Sequence, residues 1–259
     1  MRLALAGKGG SGKTTLSATL ARLQARAGLA VVVIDADSNP NVSVAMGLEA
    51  VVGPMSLPYE LVSRRPTGPR LTVPVDEVLS RHGATGPDGI RLAVMGAPDH
   101  ADAGCLCSAH AAVSALLADL GERPDVLTVV DLEGSPEHLS RGTARHADLL
   151  LLVAEPYFRS LETVRRLSAL ARQLPIPQVA VVANKVRSTT DAAAIRDFAR
   201  GEGLEVLGEI PWSTDVLDAD AARTPLLDAV PDSGVVQAIR ALALALDRVG
   251  EPSSGLAAS

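Results

Sequence analysis

The sequence predicts an α/β fold in which a mostly parallel β-sheet is flanked by helices on both faces. Short apolar, β-branched segments alternate with helix-like segments along 259 residues, a length that suits one large domain with a buried core. Aromatic residues make up only 2% of the chain, so Ala, Val and Leu must fill that core. Such a core is typical of parallel strands that helices cover on both sides.

Seven segments have the composition of buried strands, and helix-like segments separate them. The predicted strands are Leu3–Ala6, Val31–Asp35, Ile90–Val94, Val126–Asp131, Leu149–Ala154, Val179–Asn184 and Glu205–Leu207. Helices are predicted to begin near Lys13, Ser108, Glu137, Arg159, Asp191, Thr214 and Val235. This alternation predicts βαβ units and hence parallel strand pairing.

Two segments interrupt the alternation. Residues 51–89 contain six prolines and are predicted to form an irregular surface excursion with one short helix at Val75–His82. Residues 250–259 are small and polar and are predicted to form a disordered tail. A single domain is therefore expected over residues 1–249.

A glycine-rich motif follows the first predicted strand and opens the first predicted helix. Residues 7–14 read Gly-Lys-Gly-Gly-Ser-Gly-Lys-Thr and match G-x-x-x-x-G-K-[ST], the phosphate-binding loop of P-loop NTPases. Lys13 is expected to reach the β- and γ-phosphates, and the Thr14 hydroxyl to bind Mg²⁺. The alternative is a glycine-rich turn without a ligand, but the strand–loop–helix context favours a single-domain P-loop NTPase.

The loop also predicts which residues contact the nucleotide. Its glycines allow backbone N–H groups to face the phosphates, at the positive end of a helix dipole. The expected nucleotide-binding residues are Gly9, Gly10, Gly12, Lys13, Thr14 and Thr15.

Acidic residues end two further predicted strands. Asp35 and Asp37 follow one of them, and Asp131 and Glu133 follow another. Because ligands bind at the carboxyl ends of the strands in such a sheet, these carboxylates are expected beside the phosphate loop. Asp131 is expected to bind Mg²⁺ through water, and Glu133 to sense the γ-phosphate or contact a partner subunit. Asp35 is expected to be structural.

Lys8 is a second lysine inside the loop, in the pattern Gly-Lys-Gly-Gly-x-Gly-Lys-Thr-Thr. This pattern resembles the deviant Walker A motif of the nitrogenase-iron-protein and MinD-like ATPases. The resemblance implies an ATP-bound homodimer in which Lys8 reaches the partner's nucleotide and acts in catalysis with Lys13. The alternative is a solvated loop lysine.

The same resemblance assigns three more roles. It places Asp37 where the attacking water is oriented, whereas the alternative is that Asp37 caps the next helix. It implies that Asn184, whose carboxamide can pair with a ring nitrogen and the amino group of adenine, contacts the base. Pro211, followed by Trp212, is expected to close over the other side of the adenine.

Cys105 and Cys107 are the two cysteines of the chain and lie just before a predicted helix. In an extended segment residues i and i+2 point the same way, so both thiols would face one side. A disulfide between them would close a small strained ring, so we expect free thiols. Two thiolates make half of a tetrahedral metal site, which a two-fold dimer would complete. The alternative is a pair of small buried hydrophobic residues.

The chain to about Leu246 resembles the CooC family, the nickel-insertion accessory ATPases of carbon monoxide dehydrogenase. The specific features are the Cys-x-Cys at residues 105–107 and the run Glu-His-Leu-Ser-Arg-Gly-Thr at residues 137–143. The resemblance implies that Cys105 and Cys107 bind Ni²⁺ or Zn²⁺ between two subunits. It also implies ATP- and metal-promoted dimerisation, Mg²⁺-dependent hydrolysis of ATP to ADP and delivery of metal to an apo-enzyme.

Composition and charge bear on the competing function classes. The net charge of −6 disfavours a nucleic-acid binder, and no apolar run reaches transmembrane length. Val235–Leu246 is expected to be a packing helix rather than a membrane anchor. Because no secretory signal is found, we expect a cytoplasmic protein without stable membrane association. A partitioning or positioning ATPase of the ParA/MinD type remains the alternative. An iron–sulfur carrier of the same superfamily is disfavoured, because this chain lacks the Cys-x-x-Cys that such carriers usually have near the C-terminus.

Overall fold

The computed structural model describes residues 1–48, 56–65, 68–95 and 107–250. Within them the strands are β1 Arg2–Gly7, β2 Ala30–Ala36, β3 Val62–Arg65, β4 Gly68–Leu71, β5 Ala84–Thr85, β6 Arg91–Val94, β7 Val126–Leu132, β8 Leu149–Ala154, β9 Gln178–Val186 and β10 Glu205–Pro211. The helices are α1 Lys13–Arg26, α2 Val42–Ala45, α3 Val75–His82, α4 Cys107–Leu120, α5 Glu137–Ser140, α6 Phe158–Ala171, α7 Thr189–Gly201, α8 Thr214–Ala221, α9 Leu226–Ala229 and α10 Gly234–Gly250. Short 3₁₀ turns cover Tyr59–Leu61 and Pro87–Gly89.

The main sheet has the strand order β10-β9-β8-β1-β7-β2-β6-β5. Its strand pairs are parallel except for β5 with β6. The chain leaves β7 on one side of β1 and returns as β8 on the other side, so the central strand β1 lies at the topological switch point. In open α/β sheets that crevice, outside the carboxyl ends of the strands, is where ligands bind.

Alternating side chains of the central strands enter two separate apolar layers. In β1, Ala4 and Ala6 pack into one layer, and Leu3 and Leu5 pack into the other. The period of two follows from strand geometry. Aliphatic residues dominate both layers, and the buried hydrophobic core of the described residues contains no aromatic side chain. The predicted α/β fold with helices on both faces is confirmed.

The strand and helix predictions agree with the structure to within a few residues, but the proline-rich excursion is more ordered than predicted. The helix α3 is confirmed, and β3 and β4 form an antiparallel hairpin that the sequence did not predict. Leu57, Leu71 and Val78 of this segment are buried in the core, so it is not purely a surface feature. Residues 49–55, 66–67, 96–106 and 251–259 lie outside the described residues, including the tail predicted to be disordered.

The C-terminal helix α10 packs on the sheet as expected. Val236, Ile239, Leu242 and Leu246 lie on one side of it and are buried in the same layer as α1. Among the described residues, no helix combines the length and apolarity needed to cross a membrane.

Candidate functional site

Most of the predicted nucleotide-site residues meet at the carboxyl edge of the sheet. The loop after β1 carries Lys8 and Lys13, β7 carries Asp131 near its end, and β9 carries Asn184 near its end. Strand register brings the acids together, because Asp35 of β2 pairs directly with Asp131 of β7. The parallel sheet therefore assembles one site from segments that are far apart in the sequence.

The phosphate loop is shaped by its glycines and by Lys13. Gly12 precedes α1 with φ = 93°, and a Cβ there would lie 2.5 Å from Asn184 Nδ2, so a larger residue would be strained and crowded. Lys13 is buried, and its Nζ donates to the carbonyls of Gly7 at 3.1 Å and Lys8 at 3.3 Å. Burial lowers the pKa of Lys13, which the nearby carboxylate of Asp131 opposes. The ammonium is thus held inside the loop.

A hydroxyl and a carboxylate form a hard-oxygen pair beside the loop. Thr14 Oγ1 donates to Asp131 Oδ2 at 2.6 Å, and Ser17 Oγ donates to Asp131 Oδ1 at 3.3 Å. Magnesium prefers oxygen ligands of this kind, so the residues present fit a Mg²⁺-nucleotide, which Thr14 would hold directly and Asp131 through water. Burial raises the pKa of Asp131 to about 6, even though the hydrogen bond from Thr14 favours the charged form.

This raised pKa predicts a pH dependence of Mg²⁺-nucleotide binding. Asp131 is charged only above about pH 6, and Mg²⁺ requires the charged form, so the Mg²⁺-dependent part of ADP affinity should fall as the pH drops through 6. Below that pH the fall should approach tenfold per unit. Calorimetric titration of ADP with Mg²⁺ or with EDTA, between pH 5 and 8, measures it.

Asp131→Asn is the control for this prediction, because the protons of ADP itself titrate in the same range. The variant should bind ADP with Mg²⁺ more weakly than wild type. Its affinity should change with pH only through the protonation of ADP itself. An identical pH profile in wild type and variant would contradict the assignment.

The two acids after β2 have different surroundings. Asp35 is fully buried and accepts the backbone N–H of Val42 at 2.8 Å and of Asp37 at 3.3 Å. Burial raises the pKa of Asp35 to about 7. The expected structural role of Asp35 agrees with these contacts, since it is Asp35 that anchors the start of α2. Asp37 Oδ1 accepts the N–H of Asn39 at 2.8 Å and makes no capping bond to α2.

An apolar cleft adjoins the phosphate loop where the adenine is expected. Thr15, Asn184, Pro211 and Trp212 are among the residues that line it. Asn184 is buried, and its Nδ2 donates to the Ser11 carbonyl at 2.7 Å. That bond uses one of the two N–H groups of the amide, so the second N–H and Oδ1 remain for a ring nitrogen and the amino group of adenine, as the sequence predicts.

All three lysines of the chain lie at this site, whereas every other basic side chain apart from the histidines is arginine. Lys185 has a left-handed backbone, with φ = 57°, and donates to the Gly10 carbonyl at 2.6 Å and to Glu155 at 2.9 Å. Lys8 is half-buried and lies over the ring of Tyr157, 5.7 Å from its centroid. Tyr157 in turn donates to Glu155 at 2.5 Å, so Lys8 and Lys185 are joined through one small network.

The residues after Asp131 extend from the phosphate loop towards α4. We name residues 133–143 the switch segment. A Cβ on Gly134 would lie 2.6 Å from the backbone nitrogen of Gly9, so the segment contacts the loop through a position where only glycine fits. Glu133 contributes negative charge near Lys13. This placement is compatible with the role predicted for Glu133.

The far end of the switch segment contacts the cysteine region. Cys107 is the exposed first residue of α4, and Arg141 Nη1 donates to its Sγ at 2.9 Å. Cys105 lies outside the described residues. Cys107 is disulfide-bonded, so the expectation of free thiols is wrong in this structure. Metal binding requires a thiolate, so it requires Cys107 in the reduced state.

His110, which lies three residues after Cys107 in α4, is buried. Its Nδ1 lies 3.0 Å from Thr143 Oγ1, and its ring stacks edge-on against His138 at 4.5 Å between centroids. Burial lowers the pKa of His110, and lowers that of His138 to about 3. Both rings are therefore neutral packing groups, and no cluster of three or more metal-binding side chains occurs in the described part of the chain.

Sequence reasoning missed Ser17, Glu155, Tyr157, Lys185 and Arg141. Ser17 lies three residues after Thr14, so the helical period places it on the same face of α1 and could have indicated its contact with Asp131. The restriction of lysine to three positions could have drawn attention to Lys185. Arg141 lies in the run Glu-His-Leu-Ser-Arg-Gly-Thr that carries the resemblance, but its contact with Cys107 spans 34 positions in the chain and is not visible in the sequence.

Similarity to known proteins agrees with this arrangement. Residues 3–226 match the CobQ/CobB/MinD/ParA nucleotide binding domain. The chain is 35% identical to the carbon monoxide dehydrogenase accessory protein CooC of Rhodospirillum rubrum, over 99% of this chain and 100% of that protein. It is 34% identical to an ATP-binding protein of Methanocaldococcus jannaschii, over 87% and 91% of the two chains.

A solved structure shows the same fold. The septum site-determining protein MinD of Pyrococcus horikoshii, in complex with Mg-ADP, superposes with a TM-score of 0.73 at 18% identity, over 96% of this chain and 97% of that one. The chain belongs to the CobQ/CobB/MinD/ParA nucleotide-binding family of P-loop ATPases and, within it, groups with the accessory protein CooC.

Proposed function

We propose that this ATPase is a metallochaperone that binds a divalent metal ion, nickel by preference, and helps to insert it into an apo-metalloenzyme such as carbon monoxide dehydrogenase. The observation that carries the proposal is the path from Asp131 to Cys107. The switch segment begins two residues after the candidate magnesium carboxylate and contacts the candidate metal thiol through Arg141. The full-length similarity to CooC supports the same reading.

In this proposal residues 1–249 form the ATPase domain, and two such domains form the working unit. Lys13, Thr14 and Asp131 hold Mg-ATP, and Asp37 orients the attacking water. Lys8 reaches the nucleotide of the partner subunit, where its charge offsets that developing on the transferred phosphoryl group. Asn184 and Pro211 flank the adenine. The client enzyme receives the metal in the cytoplasm, without nucleic acid or a stable membrane contact.

The metal is cargo, held between two chains. Cys105 and Cys107 supply two thiolates per chain, which is half of a tetrahedral site. Two chains related by a two-fold axis supply four. Binding therefore requires reduced protein, and the metal joins the two subunits even without nucleotide. Geometry and thiolate ligands suit zinc as well as nickel, so zinc serves as a second probe.

Replacing Lys8 tests the partner-directed role. Lys8→Ala should leave the ADP affinity close to wild type, because Lys13 and the loop remain, but should abolish dimerisation by a non-hydrolysable ATP analogue and ATP hydrolysis. Sedimentation velocity with the analogue measures the dimer. An intact analogue-induced dimer would show that Lys8 is a solvated loop residue.

Metal content and molecular mass test the proposed function itself. Reduced wild-type protein, without nucleotide, should form a dimer on addition of Ni²⁺ or Zn²⁺ and retain one ion per two chains. Cys105→Ser and Cys107→Ser should each lose both properties, because the tetrahedral site would lack two of its ligands. Light scattering and metal analysis of the same fraction give the two numbers.

The double variant Cys105→Ser/Cys107→Ser is decisive, and Ser108→Ala is a control at the same helix start that leaves the sulfurs in place. If the double variant still dimerises on metal addition and keeps one ion per dimer, the cysteines are not the ligands and the proposal fails. Normal ATP hydrolysis in the double variant, without metal, shows that the domain is folded.

A further inference from the structure

Arg141 makes a contact that the nucleotide site does not require. Its guanidinium donates through Nη1 to Cys107 Sγ at 2.9 Å and through Nε to Glu137 at 3.0 Å. The side chain is 36% exposed, so it lies at the surface beside the exposed start of α4. It belongs to the run Glu-His-Leu-Ser-Arg-Gly-Thr that the sequence singled out and that no step of ATP hydrolysis uses.

A metal site with four thiolates is negatively charged, and an N–H donor such as Arg141 would stabilise it. Four thiolates and one divalent ion leave a net charge of −2, which a site needs to balance with nearby cations or N–H donors. Each chain places an N–H donor of Arg141 at its Cys107 sulfur, and Glu137 pairs with the same guanidinium at 3.0 Å, so Arg141 supplies a directed hydrogen bond rather than net charge. His110 of α4 and His138 of α5 are buried and their pKa values are lowered, so they add no positive charge.

The other end of the same segment is fixed to the phosphate loop. Gly134 touches Gly9 so closely that a methyl group could not be inserted between them. The segment therefore contacts the loop at the position where nucleotide phosphates are expected, and in other nucleotide switches the γ-phosphate orders the segment that contacts it.

The switch segment is also tied to α4 through its buried residues His138 and Thr143. Thr143 Oγ1 lies 3.0 Å from His110 Nδ1 of α4, and the ring of His138 packs against His110. Packed side chains of this kind move together rather than independently. The segment and the first turns of α4 thus form one unit that joins the loop to Cys107.

We infer that Arg141 is a positioning residue for the metal site: it donates an N–H···S hydrogen bond to the metal-bound Cys107 thiolate and makes the strength of that site depend on the nucleotide. This rests on the proposed function, because it assumes that Cys107 binds metal. The switch segment then couples the nucleotide state to the metal affinity. Thermodynamic linkage requires this coupling to be reciprocal.

Metal affinity in two nucleotide states tests the inference. Reduced wild type, Arg141→Gln, Arg141→Lys and Arg145→Gln are titrated with Ni²⁺ against a chromophoric chelator, once with Mg-ADP and once with a non-hydrolysable ATP analogue. Wild type should differ between the two states by about 5- to 150-fold. Arg141→Gln should bind Ni²⁺ roughly 10- to 100-fold more weakly and equally in both states, as expected for loss of a group that supports a ligand.

The other variants separate a specific role from a structural one. Arg145 is exposed in the same part of the chain and makes no side-chain hydrogen bond or ion pair in the described structure, so Arg145→Gln should match wild type. Arg141→Lys, which restores an N–H donor, should recover part of the affinity. If Arg141→Gln keeps the wild-type ratio between nucleotide states, or if wild type binds metal without any such ratio, the inference is wrong and the proposed function stands. If wild type binds no Ni²⁺ through its cysteines, the proposed function fails as well.

Discussion

Lys13→Ala should weaken the binding of ATP with Mg²⁺ at least about 100-fold, which corresponds to ~2.8 kcal/mol. Lys13 Nζ is buried inside the phosphate loop, next to the carbonyls of Gly7 and Lys8 and within the field of Asp131. A phosphate that binds in the loop places negative charge next to this ammonium group. Alanine removes the cation and leaves the loop without a side chain that can follow the β- and γ-phosphates. Isothermal titration measures the change.

The matched control for Lys13→Ala is Arg26→Ala. Arg26 is the last residue of the same helix α1, carries the same charge, and pairs with Asp88 and Asp228 far from the loop. Its removal should leave ATP affinity unchanged. Equal affinities of Lys13→Ala and wild type would show that this loop is not the nucleotide site.

Asp37→Asn should bind ATP with nearly wild-type affinity but hydrolyse it about 100-fold more slowly, as expected for loss of a group that orients and polarises the attacking water. Asparagine keeps the oxygen that accepts the N–H of Asn39, so the local turn is preserved. What it loses is the negative charge, which acts on Lys13 and Asp131 across the site. Single-turnover hydrolysis measured beside a binding titration separates the two effects.

Asp37→Glu is the companion variant, because it restores the charge and displaces it by one methylene. Partial recovery of the rate would support water orientation. Wild-type turnover in Asp37→Asn would instead show that Asp37 serves only the turn after β2, and that another group positions the water.

The core of the fold was predictable because its signals are local. The strands β1, β2, β7, β8 and β9 are continuous aliphatic runs, and the residues that end them fall at one edge of any parallel sheet. Lys13, Thr14 and Asp131 could thus be placed together from the sequence. The contact of Thr14 Oγ1 with Asp131 Oδ2 at 2.6 Å agrees with that placement.

The features that the sequence did not predict depend on distant partners. Strand β4 contains Pro69 and is only four residues long, and its pairing with β3 is visible only when both pack on α4. The burial of His110 depends on Thr143 and His138, which cover it from another segment of the chain. Arg141 belongs to a run that the sequence analysis singled out, but only the fold shows that it contacts Cys107.

The most direct test of the account is delivery of metal to a client. Nickel-free carbon monoxide dehydrogenase is incubated with the nickel-loaded, reduced dimer, and the recovery of its activity is followed with ATP, with ADP, and with an equal concentration of free Ni²⁺. The account predicts faster recovery from the loaded dimer with ATP than from free Ni²⁺, and loss of this advantage in Lys13→Ala and in Cys107→Ser. Recovery that is equally fast with free Ni²⁺, or that is unchanged in both variants, would contradict it.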